Sequence, residues 1–181
     1  MFQTVAGLPQ VFPGAAGARR ASALRNHIER THVNKRILLL VEDSPTDEAI
    51  SLRELRKLPA ADQVVVARDG AEALDYLFAT GKHQGRASDN LWAAVILDMD
   101  LPKVSGLEVL RQVRADARTR YVPIVIFTAS DAEEALIESY QSGCNSFVRK
   151  PVTAEKFQAA VSQAGKYWLH LNEPPPPGKA E

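Results

Sequence analysis

Apolar and amphipathic segments alternate along the central part of the chain. Five short apolar runs have the length and composition of buried strands, and they span residues 36–41, 63–67, 92–97, 123–127 and 146–149. Each run is followed by apolar residues at helical spacing, which predicts five helices that begin near positions 44, 71, 107, 130 and 153, the last reaching about position 170. This alternation favours a parallel sheet with helices on both faces.

The connections between these elements determine the predicted strand order. Right-handed crossovers and helices on both faces give a doubly wound, flavodoxin-like α/β fold with a five-stranded parallel sheet in the order 2-1-3-4-5. In that order the first and third strands are neighbours, and open α/β sheets bind ligands at the carboxyl ends of such strands. Polar residues that follow these two strands are therefore candidates for one shared site.

Both ends of the chain differ in composition from its centre. Residues 1–34 are rich in Ala, Gly and Arg, and Glu29 is their one acid. The composition resembles that of a transit peptide, but we interpret the segment as a leader that is disordered or partly helical. Residues 35–171 form the predicted domain. Residues 172–181, with prolines at 174–177, are expected to form an extended tail.

The charge and cysteine content argue against several classes of protein. The chain carries 22 basic and 22 acidic residues, so its net charge does not favour binding to nucleic acid or to an anionic membrane. No apolar run approaches the roughly 20 residues that span a bilayer. The single cysteine, Cys144, cannot form an internal disulfide, and we expect it in the core. These features fit a cytoplasmic protein without nucleic-acid or membrane partners.

Acidic residues follow the first and third predicted strands. Glu42 and Asp43 come directly after the first strand, and Asp98 comes directly after the third. A charge is costly inside an apolar sheet but is tolerated at the end of a strand. Acids that lie close together repel one another unless a cation joins them, and their oxygen atoms suit Mg²⁺. The sequence therefore predicts a magnesium site at this edge of the sheet.

A hydroxyl and a lysine follow the fourth and fifth predicted strands. Thr128 and Lys150 should lie at the same edge as Asp98. This set suits phosphoryl transfer, because a carboxylate can attack phosphorus while positive charge stabilises the phosphoryl oxygens. Ala129 leaves room for a hydrogen bond from a backbone N–H. We expect the bond between Lys150 and Pro151 to be cis, because proline lowers the cost of that isomer and the turn would aim the ammonium into the pocket.

These positions, in this order, resemble the receiver domains of two-component response regulators. The residues that carry the resemblance are Glu42, Asp43, Asp98, Thr128, Lys150 and Pro151. The resemblance covers roughly residues 36–171, and it implies that Asp98 accepts a phosphoryl group from a phosphohistidine of a sensor histidine kinase. It also implies Mg²⁺ or Mn²⁺ bound directly by Asp43 and Asp98, by the backbone carbonyl of Asp100, and through water by Glu42.

The same resemblance assigns roles to the remaining site residues. Lys150 pairs with the phosphoryl group, and the Thr128 hydroxyl and the Ala129 backbone N–H donate hydrogen bonds to it. Thr128 and Phe147 occupy the positions of the family's conformational switch. The family often has tyrosine in place of Phe147, so burial of the ring alone would bias the two states, and a plain core role stays open. As a further hypothesis, the side chain of Asp100 steers the water that hydrolyses the acyl phosphate.

Two local features indicate a subclass and a mode of output. The polar loop at 80–90 and the Leu-Pro-Lys sequence at 101–103 resemble stand-alone regulators that pair with phytochrome-type kinases. We expect no output domain after the last predicted helix, and we therefore expect signalling through contact with a downstream protein that the sequence does not identify. We also expect a homodimer through the fourth helix, fifth strand and fifth helix. Its expected surface residues are Tyr140, Phe147 and Trp168.

Two alternatives remain open on the sequence alone. The sequence Asp98-Met99-Asp100 also resembles the nucleophile motif of haloacid-dehalogenase-type phosphatases, although that family carries the motif on its first strand. A receiver-like domain that only binds partners is the second alternative. We favour a phosphoacceptor that catalyses its own phosphorylation and dephosphorylation and is not a turnover enzyme.

Overall fold

The computed structural model describes residues 36–59, 64–86 and 91–173. Within them lie five strands: β1 (Arg36–Val41), β2 (Val64–Ala67), β3 (Leu91–Leu97), β4 (Ile124–Thr128) and β5 (Ser146–Arg149). The proposed leader at 1–34 and most of the proposed tail, from residue 174 onward, lie outside the described residues.

The five strands form one parallel sheet in the order β2-β1-β3-β4-β5, which confirms the predicted flavodoxin-like topology. The register brings the carboxyl ends of the central strands to one level, because Val41 at the end of β1 pairs with both Ala67 of β2 and Leu97 of β3. The backbone N–H of Asp98 extends this ladder by donating to the carbonyl of Val41 at 3.0 Å. The residues that follow β1 and β3 therefore begin side by side.

Five helices connect and cover the strands: α1 (Pro45–Leu55), α2 (Gly70–Phe78), α3 (Gly106–Ala115), α4 (Glu133–Gln141) and α5 (Ala154–Lys166). Side-chain oxygens of Ser44, Asp69, Ser105 and Thr153 accept backbone hydrogen bonds in the first turns of four of them. The fourth helix, α4, begins later than the predicted caps at Ser130 and Asp131, after Ala132, whose side chain makes no capping bond. A short 3₁₀ turn, Gly81–His83, lies within the predicted polar loop.

The core lies on both faces of the sheet because side chains alternate along each strand. Leu39 and Val41 face one apolar cluster, which contains residues of α2 and α3 and also Cys144, buried as expected. Leu38 and Leu40 face the other cluster, which contains residues of α1 and α5. Helices therefore pack against both faces of the sheet.

The end of the last helix differs from the prediction in one respect that concerns the expected dimer surface. After α5 the chain continues as a π-helical turn, Tyr167–Leu171, in which Trp168 is only 8% exposed and packs into the cluster on the α1 and α5 face. The prediction that Trp168 lies on the surface is therefore wrong. Its neighbour Tyr167 is about half exposed instead, and so is Tyr140 of α4. The wider π turn changes which residues of this segment face inward.

Among the residues that the structure describes, no helix combines the length and apolar character needed to cross a bilayer.

Candidate functional site

The acids that follow β1 and β3 meet at the carboxyl edge of the sheet. Glu42 and Asp98 are buried, whereas Asp43 is exposed. One carboxylate oxygen from each of the three lies within 4.8 Å of the others. The arrangement follows from the register, since the strands that precede these acids end at the same level. The acids that follow two separate strands thus form one cluster, as the strand order predicted.

The carboxylate of Asp98 is fixed by hydrogen bonds to both of its oxygens. Its Oδ1 accepts from the backbone N–H of Met99 at 2.6 Å and from that of Asp100 at 3.3 Å. Its Oδ2 accepts from Nζ of Lys150 at 2.6 Å. The backbone amides orient the carboxylate, while the lysine neutralises its charge inside the edge of the sheet.

A glycine at the start of α3 packs against the backbone that carries Asp98. A Cβ added at Gly106 would lie 2.0 Å from the carbonyl oxygen of Asp98 and 2.8 Å from Cα of Met99. The N–H of Gly106 donates to the carbonyl of Met99 at 2.9 Å, which closes the loop onto the helix. Only glycine leaves room for this approach, so Gly106 is a local requirement for the position of Asp98.

The ammonium of Lys150 joins acids from three segments of the chain. Its Nζ lies 2.6 Å from Oδ2 of Asp98, 2.8 Å from Oε2 of Glu42 and 3.1 Å from Oδ2 of Asp47. The side chain of Lys150 is only 8% exposed. The backbone also contributes, because the N–H of Lys150 donates to the carbonyl of Thr128 at 2.7 Å and ties the end of β5 to the end of β4.

The peptide bond between Lys150 and Pro151 is trans, so the expected cis isomer is wrong. Trans remains the lower-energy isomer even before proline. The lysine already reaches the acids in this form, because its Nζ lies 2.6 Å from Oδ2 of Asp98. A cis bond is therefore not needed to aim the ammonium.

Burial and charge shift the acid–base behaviour of the cluster. Burial raises the pKa of Glu42 to about 7; the hydrogen bond from Lys150 opposes this, and the charges of Asp98 and Asp47 add to it. For Lys150, burial acts to lower the pKa, but hydrogen bonds to Asp98 and Glu42 outweigh it and leave the pKa raised. The lysine therefore stays protonated, and the site retains more acidic groups than its one ammonium can neutralise.

This excess of carboxylate fits a divalent cation. The Glu42, Asp43 and Asp98 oxygens are hard donors of the type that Mg²⁺ and Mn²⁺ prefer. The exposed position of Asp43 leaves the cluster accessible from solvent. The chemistry of the donor set therefore fits the predicted metal.

Thr128 and Phe147 lie on β4 and β5, the two strands beyond β3 in the sheet order. Thr128 is fully buried, and its Oγ1 accepts from the backbone N–H of Ser130 at 3.1 Å, while Ala129 between them is exposed. Phe147 pairs with Ile126 in the sheet and is half-buried against the cluster on the α2 and α3 face. The hydroxyl of Thr128 is thus engaged by its own loop rather than by the acids.

Asp47 belongs to the site although the sequence did not indicate it. It lies in the first turn of α1, where an acid is explained by its favourable position at a helix N-terminus. The signal that could have found it is the location of that turn, two residues beyond the Glu42-Asp43 pair and at the same edge of the sheet. Because α1 begins at the carboxyl end of β1, the side chains of its first turn lie at the same edge of the sheet as the residues that follow β3 and β5.

A comparison with known families decides the class of the protein. Residues 38–162 match the family described as the response regulator receiver domain. The chain belongs to this family. The receiver domain therefore carries its acid cluster at the edge that the family resemblance implied, and Asp98 follows the third strand rather than the first, which disfavours the phosphatase alternative.

The relatives and solved structures that this receiver domain resembles include a bacteriophytochrome response regulator. The probable methanogenesis regulatory protein FilR2 of Methanothrix harundinacea is 36% identical over 141 residues, which is 78% of this chain and 88% of that protein. The structure of the bacteriophytochrome response regulator AtBRR is 47% identical, covers 76% of this chain and 98% of its own, and has a TM-score of 0.59. The Mn²⁺-bound form of Rcp1, from Synechocystis, is 28% identical, covers 77% and 99%, and has a TM-score of 0.70. The predicted likeness to phytochrome-associated regulators is confirmed.

Proposed function

We propose that this receiver domain is a stand-alone response regulator whose Asp98 accepts a phosphoryl group from a phosphohistidine of a sensor histidine kinase. The observation that carries the proposal is the pair of contacts at Asp98, with backbone amides on Oδ1 and the ammonium of Lys150 on Oδ2. A carboxylate held in this way is oriented for attack and lies beside a cation that can stabilise phosphoryl oxygens.

The proposed transfer uses groups already in place. A carboxylate oxygen of Asp98 attacks phosphorus, the bond between phosphorus and the histidine nitrogen breaks, and an acyl phosphate remains on Asp98. Lys150 exchanges its contact with Oδ2 of Asp98 for one with the new phosphoryl oxygens. The backbone N–H of Ala129 and the hydroxyl of Thr128 donate to the other oxygens, which requires Thr128 to turn away from Ser130.

We further propose how the metal is held. Asp43 and Asp98 bind it through carboxylate oxygens, Asp100 through its backbone carbonyl, and Glu42 through water. A bound Mg²⁺ or Mn²⁺ neutralises charge on the phosphoryl oxygens. The structure of Rcp1 in a Mn²⁺-bound form supports the proposal that this chain also binds a divalent cation. The side chain of Asp100 steers the water that later hydrolyses the acyl phosphate; an unchanged phosphoryl lifetime in Asp100→Asn would end that part of the proposal.

We propose that phosphorylation is signalled to partners through movement of Thr128 and of the neighbouring strand β5. When Thr128 turns toward the phosphoryl group, space opens beside β5, and Phe147 can bury its ring more deeply. We propose that the surface formed by α4, β5 and α5, which includes exposed Tyr140, then pairs with a second copy and contacts a downstream protein. Trp168 has no part in this surface because it is buried. The kinase is proposed to be of the bacteriophytochrome type, as the likeness to AtBRR suggests, and the setting cytoplasmic.

Phosphotransfer tests the proposal. Autophosphorylated histidine kinases, including a bacteriophytochrome, are mixed with the wild-type chain, with Asp98→Ala and with Asp116→Ala. Asp116 follows α3 and pairs with Arg118, outside the acid cluster, so it is a matched control. Rapid transfer to the wild type and to Asp116→Ala, with none to Asp98→Ala, is expected. Equal transfer to Asp98→Ala, or no transfer from any kinase, would contradict it.

A further inference from the structure

We infer that Asp47 is a positioning residue that receives the ammonium of Lys150 when a divalent cation occupies the carboxylates of Glu42, Asp43 and Asp98. The inference rests on the proposed function, because it concerns the same site. In this inference the carboxylate of Asp47 is a fourth acid of the site, and it binds Lys150 rather than the metal.

The first observation is how the three N–H donors of Lys150 are used. An ammonium has three donors and no acceptor. In this structure each donor has one carboxylate partner, on Asp98, Glu42 and Asp47. The distances are 2.6, 2.8 and 3.1 Å in that order, so Asp47 is the most distant of the three.

The second observation is that two of these partners are shared with the metal cluster and one is not. Glu42 and Asp98 belong to the group whose oxygens converge within 4.8 Å, together with Asp43. Asp47 is outside that group. A divalent cation at the convergent oxygens would repel an ammonium bound to the same carboxylates, so Lys150 has to weaken its contacts with Glu42 and Asp98.

The third observation is that Lys150 is enclosed and that, among the described residues, these three carboxylates are its ion-pair partners. Its side chain is 8% exposed, so it cannot exchange a carboxylate for bulk water without leaving the pocket. Glu48, one residue beyond Asp47, is held by Arg68 through two bonds of 2.7 Å. Asp47 remains as the acceptor that keeps a buried ammonium paired while the metal takes the other two acids.

The position of Asp47 suits this exchange. It lies in the first turn of α1, and its side chain is 31% exposed, so it is closer to solvent than the side chain of Lys150. An ammonium drawn toward Asp47 leaves the oxygens needed by the cation but stays next to Asp98. It is then ready to pair with phosphoryl oxygens as they arrive.

Asp47 should therefore strengthen metal binding mainly by accepting the ammonium of Lys150, and not by its own charge alone. We expect Asp47→Asn to weaken Mg²⁺ binding about five- to tenfold, the size of one contact within a coupled network. In a Lys150→Gln background the same substitution should change the dissociation constant less than about twofold, because there is no ammonium left to receive.

Calorimetric titration of the metal-free chain with MgCl₂ tests this with the wild type and three variants: Asp47→Asn, Lys150→Gln and the double variant. Glu48→Gln is the matched control, since it removes an acid from the same helical turn without touching Lys150. The ¹⁵Nζ resonance of Lys150, followed during the titration, gives a second readout. It should move on Mg²⁺ addition in the wild type, and its Mg²⁺-bound position should differ in Asp47→Asn.

Specific results would overturn the inference. They are a wild type that binds no Mg²⁺, an Asp47→Asn variant with wild-type affinity, or an equal loss from Asp47→Asn when Lys150 is absent. The third result would mean that Asp47 acts on the cation directly. Failure of the proposed function is a separate outcome: it would be a wild-type chain that binds Mg²⁺ yet is not phosphorylated on Asp98.

Discussion

The ammonium of Lys150 lies 2.6 Å from Oδ2 of Asp98 although 52 positions separate the two residues along the chain. They follow β5 and β3, and β4 lies between these strands in the sheet. The lysine side chain therefore crosses the end of β4 to reach the carboxylate. This crossing joins charged groups that follow β1, β3 and β5 into one electrostatic unit.

Removing the ammonium should destabilise the metal-free protein more than the metal-bound one. In Lys150→Gln, Glu42 and Asp98 lose their shared cation while they stay buried, so we expect the free energy of unfolding in EDTA to fall by roughly 2–4 kcal/mol. Saturating Mg²⁺ should recover most of that loss, because the cation replaces the missing charge. Urea unfolding with EDTA and with Mg²⁺ measures both values.

The matched control for this prediction is Arg111→Gln, which breaks an ion pair with Glu138 whose members are both about half exposed. Exposed pairs contribute little, so a change within about 1 kcal/mol that does not respond to Mg²⁺ is expected. A loss in Lys150→Gln that Mg²⁺ leaves unchanged would contradict the shared electrostatic role of the lysine.

A methyl group at Gly106 should impair the site as well as the fold. In Gly106→Ala the new Cβ would meet the carbonyl of Asp98 at 2.0 Å, so the backbone that carries the carboxylate must move. We expect a stability loss of about 1–3 kcal/mol and at least a tenfold slower phosphorylation by acetyl phosphate. Unfolding curves and the rate of phosphorylation are the measurements.

Gly165→Ala is the comparison for that variant. A Cβ there would meet the terminal methyl groups of Leu55 and Leu58 at 2.6 and 2.7 Å, on the face between α1 and α5 and away from the acids. It should lower stability but leave the phosphorylation rate unchanged. If the two variants slowed phosphorylation equally, the close approach of Gly106 to Asp98 would have no specific role.

The two neighbouring aromatic residues after α5 should differ sharply in their contribution to stability. Trp168 is packed in the core, so Trp168→Ala should cost about 3–5 kcal/mol. Tyr167 is 48% exposed, and Tyr167→Ala should cost less than about 1 kcal/mol. Urea unfolding compares them directly. Similar small losses would mean that Trp168 lies on the surface after all.

Much of the fold and site could be predicted from the sequence because the signals are local. The apolar runs ending at Val41 and Leu97 place Glu42 and Asp98 at strand ends, and the alternation of strands and helices then determines which strand ends are neighbours. Asp47 was not predicted as a site residue, because an acid in the first turn of a helix is already explained by its favourable position there. The hydrogen bond between Lys150 and Asp47 becomes evident only in the structure, where the lysine side chain crosses the end of β4.

The remaining errors concern choices that local sequence leaves open. The residue Pro151 makes a cis bond accessible but does not select it, and the hydrogen bond from Lys150 to Thr128 accompanies a trans bond. Likewise, which of Tyr167 and Trp168 points inward depends on the helical phase. That phase changes where α5 gives way to a π turn, and the apolar pattern of the final residues fits more than one phase.

Covalent labelling of Asp98 tests the central claim most directly. The wild-type chain is incubated with acetyl phosphate and Mg²⁺, and the modified residue is located by mass spectrometry, with Asp98→Asn and an EDTA sample as controls. We predict one phosphoryl group, on Asp98, that is lost in Asp98→Asn and in EDTA. An unlabelled wild type, or a label on another residue with Asp98 unmodified, would contradict the account.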